Sequence, residues 1–328
     1  MSIVVSPGYL TERVEFPSTE PGVRLVGTLY RPSGLQGPAP AVVLLGPETF
    51  VKEQAPTQYA KRLANDGYVA LAFDPRFAGE SGGEPRRWEN PAAKAEDVGS
   101  AVDLLVGRPE VDAGRIAAMA ICQGSSAMVR AAADDPRIRA LATAAGHYRD
   151  REGDLVWLGG EEGLAERRRR GEAARERYER TGEVEYVPAV DPRRTDVGMP
   201  GSVVFDWYGP WADAGIWENR YAVMSDATLL DYESLSAAAR LTTPWLMIHS
   251  NHSFLPNAAR RHLAAVPAGT PTRLQWEGDT AHFRYYDDPV VMDRTTGLVH
   301  DWFREHLDLP APASAAIPAT GQEGPAGG

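Results

Sequence analysis

The chain has 328 residues, of which 43% are hydrophobic, and a formal net charge of −11 at pH 7. This length and this hydrophobic fraction suit one α/β domain that carries an insertion. The negative charge disfavours nonspecific nucleic-acid binding. No apolar run approaches the roughly 20 residues of a transmembrane helix, and the amino terminus has no signal-peptide pattern, so we expect no membrane association. The single cysteine, Cys122, cannot form an internal disulfide, which fits a cytoplasmic protein.

Apolar strand-like runs alternate with amphipathic helical stretches along most of the chain. This alternation predicts an α/β fold with a mostly parallel central sheet flanked by helices. Two antiparallel strands are expected within residues 11–30, before the alternating part begins. The later strands are predicted at Ala41–Leu45, Tyr68–Asp74, Arg115–Cys122, Ile138–Ala145, Trp245–Ser250 and Thr272–Trp276, and the helices at Thr57–Asp66, Ala92–Val106, Ser125–Ala133 and Val290–Leu307.

Residues 147–240 interrupt the alternation. An insertion over the carboxyl ends of a sheet usually forms a lid or cap. We therefore expect residues 1–146 and 241–308 to form the core and residues 147–240 to form a helical cap. The remaining residues, 309–328, are rich in Pro, Ala and Gly, and a disordered tail is predicted there.

The insertion has two parts of different chemistry. Glu161–Glu179 is polar and helical, and its run Arg167–Arg170 is expected to be a solvated helix face with i,i+4 Glu–Arg pairs. An aromatic stretch follows, in which Trp207, Tyr208 and Trp211 are candidates for substrate contact. Such residues favour a bulky, apolar substrate, and simple packing of the cap on the core is the alternative.

Residues 116–128 read IAAMAICQGSSAM and place Cys122 between a strand and a helix. Small residues, Ala120 and Gly124, lie two positions before and after the cysteine. This is the pattern of a nucleophile elbow, where strand and helix backbones approach closely. We therefore predict an α/β-hydrolase fold with Cys122 as the nucleophile; a buried structural thiol is the alternative. The helix amino terminus and a nearby histidine should favour the thiolate.

A literal Gly-x-Ser-x-Gly also occurs at residues 79–83, centred on Ser81. Pro85 and polar residues follow it instead of a helix, and the preceding strand is expected to end several residues earlier, at Asp74. A nucleophile elbow requires a strand directly before it and a helix directly after it. We therefore interpret this motif as a glycine-rich surface loop.

The general base is predicted from chain order, since in this fold the histidine follows the last strand. His282 occupies that position in LQWEGDTAHFRY. The residue that orients it normally follows the strand PWLMIHS, where this chain has Asn251, whose side-chain carbonyl could serve in a Cys-His-Asn arrangement. The alternatives are Asp206, Asp279, Ser253, or no orienting residue, with His282 held by water alone. His147 and His252, at strand ends, are candidates for the substrate pocket.

The oxyanion hole should combine two backbone N–H groups. One belongs to Gln123, directly after the nucleophile. The other comes from the loop after the first parallel strand, LLGPETFVKEQ. Pro47 has no N–H, so Glu48 or Thr49 must donate. Glu48 also brings a carboxylate near a developing oxyanion, which is an unusual choice.

Four segments carry a family resemblance: VKEQAPTQYAKRLANDGYVALAFDPRFAGESGGEPR, NPAAKAEDVGSAVDLL, VDAGRIAAMAICQG and PWLMIHS. Over roughly residues 10–146 and 230–307 the chain resembles bacterial α/β hydrolases related to dienelactone hydrolases, and fungal polyketide transferases and thiohydrolases. The resemblance implies a cysteine nucleophile at Cys122 and a catalytic histidine at His282. Family members usually have His-Pro where this chain has Gly46-Pro47, and Glu or Asp where it has residues 251–253.

These features predict an enzyme that forms an acyl-Cys122 intermediate from an ester, thioester or lactone. Acyl transfer or cyclisation in natural-product biosynthesis is one alternative, and a non-catalytic binding protein on the same scaffold is another. The expected partner is a small-molecule substrate, which a carrier protein or CoA could deliver as an acyl group. No metal-ligand spacing or phosphate-binding glycine loop is present, so we expect no metal and no cofactor. A homodimer is left open.

Overall fold

The computed structural model of the protein describes residues 3–6 and 8–309. The tail predicted to be disordered lies, apart from Leu309, outside these residues. The described strands are β1 (Ile3–Ser6), β2 (Tyr9–Pro17), β3 (Arg24–Pro32), β4 (Ala39–Leu45), β5 (Val69–Asp74), β6 (Val111–Ile121), β7 (Ile138–Ala144), β8 (Tyr186–Val187), β9 (Tyr221–Ala222), β10 (Trp245–His249) and β11 (Thr272–Trp276). The described helices are α1 (Ala55–Asn65), α2 (Pro91–Val106), α3 (Gly124–Asp134), α4 (Arg151–Trp157), α5 (Glu161–Thr181), α6 (Ser202–Asp213), α7 (Ser225–Leu230), α8 (Leu235–Ala238), α9 (Pro256–Ala265), α10 (Arg284–Asp287) and α11 (Pro289–His306).

Nine of these strands form one sheet in the order β1-β2-β3-β5-β4-β6-β7-β10-β11. Every neighbouring pair from β5 to β11 is parallel, whereas the three pairs that involve β1, β2 and β3 are antiparallel. The predicted mostly parallel sheet with antiparallel strands at its start is therefore confirmed. No described helix is long and apolar enough to cross a membrane.

Both faces of the sheet are covered by helices, as a parallel sheet requires. The side chains of successive residues in β4 point to opposite faces of the sheet. Val42 belongs to a buried cluster with Tyr59 of α1, and Val43 belongs to a second buried cluster with Val98 of α2. This alternation follows from the period of two along a strand. With both faces packed, the carboxyl ends of the strands are left for a functional site.

The segment 147–240, which we call the cap segment, lies between β7 and β10 and contains α4 to α8. It contacts the loop that follows β4. The hydroxyl of Tyr208 donates to the carbonyl oxygen of Glu48 at 2.7 Å, and Nε1 of Trp217 donates to the carbonyl oxygen of Thr49 at 2.6 Å. The cap segment therefore packs at the carboxyl end of β4.

Two of the four arginines in the run Arg167–Arg170 do not lie on the solvated helix face that was expected, whereas an i,i+4 pair of the expected kind forms at Arg168. Nε of Arg167 and Nε of Arg170 each lie 2.7 Å from a carboxylate oxygen of Asp226, whose side chain is fully buried. Arg167 also donates to the carbonyl oxygens of Val197 and Gly198. The prediction was wrong for these two residues because their partners are distant in sequence and not one turn away.

Ser81 is a structural residue and not a second nucleophile elbow. Its Oγ is buried, donates to the carbonyl oxygen of Asp74 at 2.6 Å and accepts from the N–H of Val26 at 2.8 Å. The next helix, α2, begins only at Pro91. The hydroxyl therefore ties the loop after β5 to the neighbouring strand β3.

We expect Ser81→Ala to lower the free energy of unfolding by about 1–3 kcal/mol, because it leaves a buried N–H and a buried carbonyl without their partner. Reactivity toward activated acyl esters should stay near the wild-type value. Urea denaturation and an esterase assay measure the two effects, with Ser202→Ala at an exposed serine as the control. A thousandfold loss of activity in a folded Ser81→Ala would move the active site to residue 81.

Candidate active site

Cys122 occupies the sharp turn between β6 and α3. Its φ of 52° is in the left-handed region, which a residue with a side chain adopts only when its surroundings enforce it. The turn is held by two hydrogen bonds: the N–H of Cys122 donates to the carbonyl oxygen of Ala144 at 3.2 Å, and the N–H of Ser125 donates to that of Cys122 at 3.0 Å. This is the backbone geometry of a nucleophile elbow.

The elbow is pressed against the loop that follows β4. A Cβ added to Gly124 would lie 2.3 Å from the carbonyl oxygen of Gly46, a distance that no real side chain tolerates. Ala120, on the strand side of the turn, is fully buried. The small flanking residues identified in the sequence are therefore needed for this close approach.

Two backbone N–H groups face the thiol of Cys122. Those of Gln123 and Glu48 are within hydrogen-bonding reach of the sulfur, and each acts to lower its pKa. The N–H of Thr49 has another acceptor, a carboxylate oxygen of Glu89 at 2.9 Å. Of the two loop residues proposed as oxyanion donors, Glu48 thus faces the sulfur and Thr49 does not.

A buried ion pair, which the sequence did not predict, contacts both segments that carry the Gln123 and Glu48 N–H groups. The carboxylate of Glu89 binds the N–H of Thr49 and the ammonium group of Lys94, and Lys94 also donates to Oε1 of Gln123 at 3.3 Å. Both charged side chains are almost completely buried. This pair therefore links the loop after β4 to the residue that follows the nucleophile.

The sulfur is protonated at neutral pH in this conformation. Burial raises the pKa of the Cys122 thiol to about 12, and the contact with the Tyr286 hydroxyl, which lowers it, is too weak to compensate. The expected thiolate is therefore not the resting state, because desolvation outweighs the favourable helix terminus.

Tyr286 lies between the cysteine and the histidine that were predicted to be direct partners. Its hydroxyl contacts the thiol of Cys122 and lies 2.7 Å from Nε2 of His282. Tyr286 was overlooked, although it follows His282 by four residues, a spacing that places two side chains on one face of a helical turn. The structure thus brings Cys122 and His282 together through a tyrosine hydroxyl.

Among the described residues, no carboxylate forms a hydrogen bond with His282. Its Nδ1 accepts a long hydrogen bond of 3.4 Å from the N–H of Phe254, which favours the tautomer with hydrogen on Nε2. Burial lowers the pKa of His282 well below its ordinary value, and the nearby His249 and His147 lower it further. The imidazole is therefore neutral and only weakly basic in this arrangement.

Two residues predicted for the site lie outside it. The exposed Asn251 accepts from Nε1 of Trp276 at 2.8 Å and donates to Asp279 at 3.0 Å, so the structure does not bring it to His282. The side chain of His252 is 62% exposed and lies 3.6 Å from Asp279. The alternative orienting residue Asp206 is also exposed, on α6.

Cys122 lines a small, partly open cavity of about 30 Å³. Most of its wall is apolar, and Tyr208 forms part of it. Trp207 and Trp211 do not line the cavity. Trp207 packs on the cavity residue Tyr286 and donates to Asp287, and Trp211 packs on Trp207. The apolar lining residues are Trp157, Met199, Pro200, Val204, Phe254 and Phe283.

Two polar side chains interrupt the apolar wall. Nε2 of His147 is buried without a hydrogen-bond partner, and burial lowers the pKa of this imidazole to about 3. Oε1 of Glu48 is also buried without a partner. Burial and the nearby carboxylate of Glu89 raise the pKa of Glu48 to about 7, against the opposing influence of Arg149 and Arg167.

Comparison with known proteins agrees with this geometry. Residues 21–180 match the X-Pro dipeptidyl-peptidase (S15) family. An uncharacterised protein of Escherichia coli is 40% identical over 137 residues, which are 41% of this chain and 45% of that protein. A thiohydrolase of Arthrinium phaeospermum is 35% identical over 130 residues, 40% of this chain and 41% of the relative. The chain thus spans less than half the length of these curated relatives.

Solved structures are similar over nearly their whole length. A hypothetical protein of Pseudomonas aeruginosa superposes with a TM-score of 0.77 at 25% identity, and the matched region covers 93% of this chain and 99% of that protein. An α/β hydrolase of a Penicillium species gives a TM-score of 0.70 at 24% identity, with 91% and 99% covered. The chain is therefore an α/β-hydrolase-fold protein homologous to fungal thiohydrolases and polyketide transferases.

Proposed function

We propose that the protein is an enzyme that transfers an acyl group from an ester, thioester or lactone to the sulfur of Cys122. One observation carries this proposal: Cys122 sits on a strained elbow with the backbone N–H groups of Gln123 and Glu48 facing its sulfur. Those donors are suited to stabilise the oxyanion of a tetrahedral intermediate. Cysteine is a competent nucleophile for such acyl transfer.

The substrate is a small molecule with an apolar acyl group, because the cavity wall beside Cys122 is mostly aromatic and aliphatic. Relatives that are a thiohydrolase and a polyketide transferase favour an acyl thioester, delivered on a carrier protein or on CoA. The acyl-enzyme is then resolved by water or another nucleophile. The cavity of about 30 Å³ is small, so we expect the cap segment to move when a long acyl group binds.

The proton of the thiol leaves through Tyr286. The hydroxyl of Tyr286 accepts it from Cys122 and passes its own proton to Nε2 of His282, and the imidazolium then gives this proton to the departing alcohol or thiol. This route uses the tautomer with hydrogen on Nδ1, which sacrifices the hydrogen bond from Phe254; at 3.4 Å that bond is weak, so the cost is small. His282 and Tyr286 therefore act as one unit.

A non-catalytic binding protein is the second candidate function. The absence of a carboxylate beside Nδ1 of His282 favours it, since such a histidine is a poor base. The two functions differ in one observable, the formation of a covalent acyl adduct on Cys122.

We expect the wild-type protein to gain the mass of one acyl group when mixed with a p-nitrophenyl ester or an acyl N-acetylcysteamine thioester, and peptide mapping to place it on Cys122. Cys122→Ala should fold normally and lose turnover by at least about a thousandfold, because the nucleophile is absent. Intact-mass spectrometry and circular dichroism measure both properties. Full turnover in Cys122→Ala would rule out the cysteine mechanism.

We expect Tyr286→Phe to slow adduct formation by about 10- to 100-fold, because the thiol loses the hydrogen bond that lowers its pKa and its path to His282. The alkylation rate of Cys122 with iodoacetamide should still rise at about pH 10 in the wild type, since only the thiolate reacts. The rate profile of Tyr286→Phe should shift to higher pH. Tyr285→Phe, outside the cavity lining, is the control, and identical profiles for wild type and Tyr286→Phe would contradict this role.

A further inference from the structure

Glu48 is a buried acid that the acylation step does not use. Its backbone N–H faces the sulfur of Cys122, and its side chain lines the same cavity as Cys122. Only 2% of the residue is exposed, and Oε1 has no hydrogen-bond partner. A buried carboxyl oxygen without a partner is costly, and such groups are retained mainly where they act on a ligand.

His282 is not placed to serve the nucleophile that resolves the acyl-enzyme. Its side chain is absent from the lining of the Cys122 cavity and instead borders an adjoining surface groove of about 290 Å³, which shares Val204, Phe254 and Phe283 with that cavity. Its two ring nitrogens are occupied by Tyr286 and the N–H of Phe254. A nucleophile inside the cavity therefore meets Glu48 and His147 and not His282.

We propose that Glu48 is the general base for the second half-reaction and that, with His147, it forms the subsite for an uncharged hydroxyl nucleophile, water or an alcohol. This inference rests on the proposed acyl-Cys122 intermediate. The carboxylate of Glu48 takes the O–H proton while the oxygen attacks the carbonyl carbon of the thioester. The carbon–sulfur bond then breaks, the sulfur recovers a proton from the Glu48 carboxyl, and the acid or ester product leaves.

The placement of a carboxylate beside an oxyanion is favourable in such a step. Glu48 loses its negative charge as the carbonyl oxygen gains one, so the repulsion present in the ground state is relieved in the transition state. The N–H of the same residue then stabilises the new charge without an opposing carboxylate. Burial and Glu89, which raise the pKa of Glu48 to about 7, give it the proton affinity of an effective base near neutral pH.

The test is the deacylation rate of Glu48→Gln, which keeps the shape and the backbone N–H but removes the base. With a p-nitrophenyl ester as the probe, this variant should still release one equivalent of p-nitrophenol and carry the acyl group on Cys122. The acyl-enzyme should persist at least about a hundredfold longer than in the wild type, as followed by intact mass. Wild-type deacylation should rise with pH up to about pH 7 and then level off, and the variant should lack this limb.

Hydroxylamine, a nucleophile that needs little base assistance, should discharge both acyl-enzymes at similar rates. Glu48→Asp should retain part of the activity, because a shorter carboxylate remains, and Glu162→Gln, at an exposed position of α5, should match the wild type. Glu48→Gln is expected to fold because it removes a buried acid. Deacylation at the wild-type rate with the wild-type pH profile in Glu48→Gln overturns the role of Glu48, whereas the absence of any adduct on wild-type Cys122 overturns the acyl-enzyme itself.

Discussion

The site depends on the close approach of two backbones, at Gly124 and Gly46. The 2.3 Å that would separate a Cβ at position 124 from the Gly46 carbonyl oxygen leaves no room for any side chain. This contact sets the spacing between the amino end of α3 and the loop after β4, the two segments that carry the Gln123 and Glu48 N–H groups. An oxyanion site made only of backbone donors needs such a rigid junction.

A buried ion pair contacts both sides of this junction. The Glu89–Lys94 pair touches both Thr49 and Gln123, and Glu89 also perturbs the carboxyl of Glu48. Buried ion pairs contribute little net stability, because the cost of desolvation offsets their attraction. The value of this pair is mainly positional, and its carboxylate adds to burial in raising the pKa of the Glu48 carboxyl, against the opposing influence of Lys94.

The sequence predicted the parts of the site that depend on local pattern. The small residues around Cys122 and the place of His282 after the last strand were sufficient to locate both residues. Tyr286 and the burial of the thiol were not predicted, since both depend on how α10 and the cap segment pack. Asn251 was chosen by its position after β10, but position along the chain does not fix side-chain direction, and its amide meets Trp276 and Asp279. Glu89 and Lys94 were not predicted, because the residues that they link, Thr49 and Gln123, are distant in sequence.

The small size of the cavity beside Cys122 has a thermodynamic consequence. At about 30 Å³ it is narrow, so a long acyl group of the proposed substrate would select a wider conformer of the protein. The observed dissociation constant is then the intrinsic one divided by the population of that conformer. Residues that hold the cap segment in place without lining the cavity, such as Trp217 on the Thr49 carbonyl, therefore set affinity without touching the ligand. Selectivity among acyl groups can in this way change by substitutions remote from the reacting atoms.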